Sequence, residues 1–178
     1  DWFVNLDKLP ADLPSLSSKV KAMGMKFGLW FEPEMVSEDS DLYRAHPEWA
    51  LTIPGRKPNR SRYQLVLDMS RPEVVDYLFE RMSDIISRAE IDYVKWDMNR
   101  SMCDIYSGLL PKEKQGEVYH RCVLGVYDLL ERLTSAFPDL LLEGCSGGGG
   151  RFDPAMLYYS PQIWCSDNTD AINRLGIQ

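Results

Sequence analysis

Five short apolar runs separated by helix-like stretches constrain this chain more than any other feature of its sequence. The runs are MKFGLWFEP at 25–33, YQLVLDMS at 63–70, IDYVKWD at 91–97, LLLEGCS at 140–146 and QIWCSDN at 162–168, and each ends in polar or small residues. Between them, RPEVVDYLFERMSDIISRAE carries Pro72 just inside its start, Ser70 as a candidate N-cap and apolar residues at 74, 75, 78, 79, 82, 85 and 86. That period is helical. EKQGEVYHRCVLGVYDLLERLTSAF repeats Val118, Cys122, Val126, Leu129 and Leu133 in the same way and closes near Pro138. The chain stops within a further helical stretch, TDAINRLGIQ, and opens with no strand or helix pattern of its own.

Strands alternating with helices imply βαβ units and a parallel sheet, hence an α/β fold. A doubly wound sheet carries its phosphate loop at the first strand, whereas a (β/α)8 barrel puts chemistry at the C-terminal ends of several strands. Here Glu32, Glu34, Asp68, Asp97, Cys145 and Asp167 all fall at or just beyond the ends of apolar runs. The pattern favours the barrel. Five strands cannot close an eight-stranded barrel, so the expectation is a partial TIM barrel of about five β/α units, without its first and last strands.

Composition narrows the function. At 178 residues, with 44% hydrophobic and 26% charged residues, the chain suits one soluble globular domain. Its net charge of -7 argues against nucleic acid or an anionic membrane surface as partner. No apolar run reaches the length of about 18 residues that a membrane span needs, and DWFVNLDKLP has no export-signal pattern. Cys103, Cys122, Cys145 and Cys165 form no C-x-x-C, which suits a reducing, cytoplasmic setting and reads as neither a disulfide framework nor a zinc site. His46 and His120 are isolated, as structural or surface histidines are. No metal or other cofactor is expected.

Two stretches carry the chemistry. In YVKWDMNR, side-chain alternation puts Tyr93, Lys95 and Asp97 on one strand face and Val94 and Trp96 on the other. The charges at 95 and 97 then form a buried ion pair or serve a ligand. In EGCSGGGG, no Gly-Lys-Ser/Thr follows the glycines, which excludes a P-loop. GCSGG also fits the nucleophile elbow of α/β-hydrolases, but the chain has no histidine after His120 to complete the triad. Two readings remain: a backbone approaching a ligand closely with Cys145 lining the pocket, or a flexible turn. A retaining glycosidase needs two carboxylates about 5 to 5.5 Å apart, one as nucleophile and one as acid/base. Asp97 and Asp167 fit those posts, with Lys95 keeping Asp97 ionised and that anion favouring Asp167 as the proton donor. Trp30 offers an aromatic face to sugar C–H surfaces or to the core.

GLWFEPEMVSEDSDLYRAHPEWAL, RYQLVLDMSRPEVVDYL, YVKWDMNR and LLLEGCSGGGGRFDPAMLYYSPQIWCSDNTDAINRLGIQ together resemble the catalytic barrel of glycoside hydrolase family 36 α-galactosidases, over essentially the whole chain. The resemblance implies a retaining enzyme releasing terminal α-linked galactose from melibiose- or raffinose-type oligosaccharides. Asp97 of K-W-D would be the nucleophile and Asp167 of S-D-x-T/S-D the acid/base. Arg62, Lys95, Asn99 and Cys145 would bind the galactosyl group, with Trp30 and Gly147 as pocket walls. It further implies that residues 1–178 are the central part of the catalytic barrel, without the family's N-terminal β-sandwich, C-terminal β-domain and upstream aspartate pair. The full-length enzyme is expected to be a homo-oligomer. Galactosyl transfer and α-N-acetylgalactosaminide hydrolysis remain open on the same fold, as does an inactive fragment that binds sugar weakly at most.

Overall fold

The computed structural model describes residues 2–177. Along the chain run α1 (Asp12–Ala22), β1 (Gly28–Phe31), β2 (Met35–Ser37), α2 (Asp41–Ala45), β3 (Gln64–Val66), α3 (Pro72–Arg88), β4 (Tyr93–Trp96) and α4 (Val118–Ala136). There follow β5 (Leu141–Gly144), the single turn α5 (Ser146–Gly149), α6 (Pro154–Tyr159), β6 (Gln162–Ile163) and α7 (Ala171–Ile177). The chain divides into two compact units. One gathers Val4–Glu32, Ile85–Arg100 and the residues from Ala136 onward; the other holds the N-terminal residues to Phe3, Pro33–Asp84 and Ser101–Ser135.

The first unit is built on a parallel sheet of order β1-β4-β5-β6. Its register pairs Trp30 with Lys95, Lys95 with Glu143, and Glu143 with Gln162, so these four side chains form one row on one face. Val94 and Trp96 are fully buried while Tyr93 and Lys95 are half-buried, as alternation along β4 requires. The ladder runs on past the strands: Asp97 N–H donates to Phe31 O (2.8 Å), Cys145 N–H to Trp96 O (2.9 Å) and Trp164 N–H to Gly144 O (2.8 Å). These bonds hold the first residues beyond each strand at fixed heights. Helix α1, which has no predicted counterpart, is tied to the sheet by Lys21, whose ammonium lies 3.3 Å from the Asp92 carboxylate; Asp92 also accepts the Phe27 N–H at 2.9 Å.

The second unit corrects the expectation of five parallel strands. Residues Gln64–Val66 are a strand, but they pair antiparallel with β2 in a separate two-stranded sheet, Met35 opposite Val66. Arg62 and Tyr63 turn the chain into β3 with φ of 53° and 61°, in the left-handed region that residues with side chains rarely adopt. Helix α3 starts at Pro72, one residue later than a Ser70 cap would require; the Ser70 hydroxyl donates to Asp68 instead. Val74, Val75, Leu78 and Met82 on α3, and Val118, Cys122, Val126, Leu129 and Leu133 on α4, are buried on the predicted faces. At Gly125 the α4 backbone comes so close to the segment after β3 that a Cβ would stand 1.8 Å from Met69 O. Only glycine fits.

Candidate active site

Because β1, β4, β5 and β6 are all parallel, the residues following them emerge at one edge of the sheet. Glu32 follows β1, Asp97 follows β4, Cys145 follows β5, and Trp164 through Asp167 follow β6. An edge of this kind collects polar groups from distant parts of the sequence without bending any strand.

Asp97 is at its centre, 5% exposed. Its Oδ2 accepts from Asn99 Nδ2 at 2.8 Å and Trp30 Nε1 at 3.1 Å; its Oδ1 accepts from the N–H groups of Met98 at 2.9 Å and Gly147 at 3.3 Å. Burial alone would raise its pKa, but donors from Asn99, Trp30, Gly147 and the Cys145 thiol outweigh burial and hold the carboxyl below its ordinary value of 3.8. Burial in turn pushes the Cys145 thiol up, and its contact with Asp97 adds to that shift, so the sulfur stays protonated and able to donate. Asn99 is held from the other side: its N–H and Nδ2 donate to Glu32 Oε1 at 3.1 and 2.8 Å. A single side-chain amide therefore bridges two buried carboxylates.

Lys95 departs from expectation. Among the described residues no ion pair joins it to Asp97; its Nζ lies 4.3 Å from the centroid of the Trp164 ring. The depressed pKa of Asp97 comes from neutral donors rather than from the lysine beside it. Strand geometry explains this, since residues i and i+2 share a face but stand roughly 7 Å apart along it.

Trp164 also donates from Nε1 to Asp167 Oδ1 at 2.7 Å, so one indole touches both Lys95 and Asp167. Asp167 is exposed. Its segment and that of Asp97 meet across α5, where Ser146, Gly147, Gly148 and Gly149 have φ of 53°, 64°, 86° and 92°. This is a left-handed turn, in which Gly147 reaches Asp97 while a Cβ on Gly148 would stand 3.6 Å from Ser166 Cα and 3.8 Å from Asp167 N. The glycine run is thus a close-approach device, and Arg151 Nε anchors its start through the Ser146 hydroxyl at 2.6 Å.

Of the residues singled out from sequence, Trp30, Asn99, Cys145 and Gly147 gather on Asp97, and Lys95 and Asp167 are joined through Trp164. Arg62 lies in the other unit, in the turn before β3. Asp68, counted among the strand-end carboxylates, is a structural hub: 1% exposed, it accepts from the hydroxyls of Ser70 and Ser107 and from the Cys122 thiol, and pairs with Arg71 at 3.2 Å. Neither a role for Trp164 nor a partner for Glu32 is legible in the local sequence pattern. Only their positions toward the ends of apolar runs could have marked them. Among the described residues no group of three or more His, Cys, Asp and Glu side chains could hold a metal ion, and no helix is long and apolar enough to cross a membrane.

The fold and site together define an α/β protein with a carboxylate centre at the C-terminal edge of its parallel sheet. The chain belongs to the Melibiase family, which it matches over residues 1–178. It is 62% identical over its whole length to the bifunctional alpha-galactosidase/sucrose kinase AgaSK of Mediterraneibacter gnavus, of which it covers 18%. It superposes on the solved GH36 alpha-galactosidase AgaA of Geobacillus stearothermophilus with a TM-score of 0.97 and 56% identity, covering 100% of this chain and 25% of that one. The same scores and coverage hold for the A355E D548N form of AgaA, solved in complex with raffinose. The resemblance carried by the motifs is borne out, and the chain spans a quarter or less of the length of these relatives.

Proposed function

We propose that this chain is the central part of the catalytic (β/α)8 barrel of a longer retaining α-galactosidase that acts on raffinose-type oligosaccharides with a terminal α-linked galactose. The observation that carries the reading is the Asp97 carboxylate, buried at the C-terminal edge of the sheet yet kept ionised by neutral donors to both oxygens. An aspartate held this way is oriented and charged at neutral pH, as a glycosidic nucleophile must be. The names of the relatives and the raffinose in one of them supply the substrate class.

In this mechanism Asp97 attacks the anomeric carbon. The bond to the leaving oxygen breaks as Asp167 gives that oxygen its proton, leaving a galactosyl ester on Asp97. Asp167, now a carboxylate, takes a proton from water as the water attacks the same carbon; the ester bond breaks, its electrons return to the Asp97 carboxylate, and α-galactose leaves with net retention. Arg62, Lys95, Asn99 and Cys145 bind the sugar hydroxyls, with Trp30 and Gly147 as pocket walls. The N-terminal β-sandwich and C-terminal β-domain belong to the longer polypeptide, which is cytoplasmic and homo-oligomeric.

The test is made in the native full-length polypeptide carrying this sequence. Asp97→Asn should abolish turnover of every α-galactoside, with azide restoring only an inverted, β-configured product from an activated substrate. Asp167→Asn should still form the ester from activated substrates and be rescued by azide with net retention. Reversed behaviour would exchange the two roles, and azide products from neither variant would sink the mechanism.

A further inference from the structure

Asp167 is exposed and stands in a loop, a poor start for a group that must deliver a proton along one direction. Trp164 supplies the missing constraint. Its backbone N–H is fixed to Gly144 O at 2.8 Å, which roots the residue on the sheet, and its indole Nε1 reaches Asp167 Oδ1 at 2.7 Å. Arg174 reinforces the arrangement: its guanidinium lies 5.1 Å from the Trp164 ring centroid, and its Nη1 donates to the carbonyls of Ser166 at 2.9 Å and Asn168 at 3.4 Å, on either side of Asp167. The same ring also meets the Lys95 ammonium, 4.3 Å from the centroid.

We propose that Trp164 is a positioning residue for leaving-group protonation, an inference that rests on the retaining α-galactosidase reading. An indole N–H can only donate, so Oδ1 is the oxygen that accepts and Oδ2 is the one that carries the acid proton. In the first step that proton passes from Oδ2 to the glycosidic oxygen while the C–O bond electrons move onto the same oxygen. The negative charge left on Asp167 then strengthens the indole bond. The ring face has a separate task, holding the Lys95 ammonium by cation–π attraction in line with the sugar hydroxyls it binds. One side chain thus aligns the acid through its edge and the lysine through its face.

The two tasks separate by substitution in the native full-length polypeptide. Trp164→Phe keeps an aromatic face and loses the N–H; Trp164→Leu loses both. The measurement is kcat/KM on raffinose and on aryl α-galactosides of graded leaving-group ability. Trp164→Phe should lose about 10- to 100-fold on raffinose and poor aryl leaving groups, part of the 10²–10⁴-fold that general acid catalysis supplies. It should stay within about threefold of wild type on a dinitrophenyl galactoside, which needs no proton. Retained activity on that substrate also reports that the variant is folded. Trp164→Leu should add a further loss, equal on all substrates, through Lys95. A uniform loss across the series for Trp164→Phe, or an unchanged rate on raffinose, overturns the positioning role alone. Failure of the wild-type protein to turn over any α-galactoside overturns the galactosidase reading and this inference with it.

Discussion

Removing the Asn99 side chain should move the acid limb of the pH–activity profile by about one unit, a figure that follows from its place between two carboxylates. Asn99 Nδ2 is 2.8 Å from Asp97 Oδ2, the shortest of the bonds to that carboxylate, and 2.8 Å from Glu32 Oε1. A hydrogen bond to a charged group contributes about 1.5–3 kcal/mol, and roughly half of that persists when the acceptor is neutral. The difference between the two protonation states is then about 0.8–1.5 kcal/mol, or roughly 0.6–1.1 pH units at 1.36 kcal/mol per unit. Asn99→Ala deletes this term while Trp30, Gly147 and Cys145 still donate. The assay is kcat/KM against pH with an aryl α-galactoside, in the full-length polypeptide, where under the proposed mechanism the acid limb reports ionisation of Asp97. The same shift has a stability signature. Asp97 has a folded pKa below its ordinary 3.8, so its stabilising contribution is complete above that value and drains away as pH falls through the folded pKa; Asn99→Ala narrows the window from below. A profile that falls uniformly with its acid limb unmoved would refute the bridging role.

Two further outcomes test other parts of the structure. Lys95→Met removes a cation that rests on Trp164 rather than on Asp97, so thermal unfolding should change by less than about 1–2 kcal/mol while kcat/KM falls by orders of magnitude; a large melting shift with intact activity would return Lys95 to a purely structural role. Gly125→Ala would place a Cβ 1.8 Å from Met69 O, and urea unfolding should register a loss of about 3 kcal/mol, the upper end of ordinary overpacking, with wild-type stability refuting the close approach.

Much of the architecture was legible because it rests on periodicity. The alternation of β4 fixes which of Tyr93, Val94, Lys95 and Trp96 are buried, and the helical faces of α3 and α4 follow from spacing alone. The strand ends located Asp97, Cys145 and Asp167 for the same reason. What escaped depends on contacts that local pattern does not encode. Helix α1 buries only Ser17, so its apolar residues trace no core-facing stripe. Strand β2 is three residues long, and its antiparallel pairing with β3 leaves no mark in either sequence. Spacing puts Lys95 and Asp97 two residues apart, yet the contact Lys95 makes is with Trp164, far along the chain, its Nζ 4.3 Å from the ring centroid. Asp68 looked like a site carboxylate until Ser70, Ser107, Arg71 and Cys122 proved to surround it.

The left-handed turn at Ser146–Gly149 bears on how such a protein can diversify. Every single-nucleotide change in a glycine codon that alters the amino acid adds a Cβ, and an L-residue in this conformation is disfavoured by roughly 1–2 kcal/mol each time. At Gly149 the added atom would also meet Trp164 O at 3.1 Å. A saturation library should therefore show adjacent columns at 147, 148 and 149 in which most variants lose stability together, Asn and Asp least, because their short polar side chains adopt this conformation most readily. Under the proposed mechanism, new leaving-group or acceptor preferences would arise on the loops around this segment, because the backbone turn between Asp97 and Asp167 is constrained by chirality rather than by chemistry.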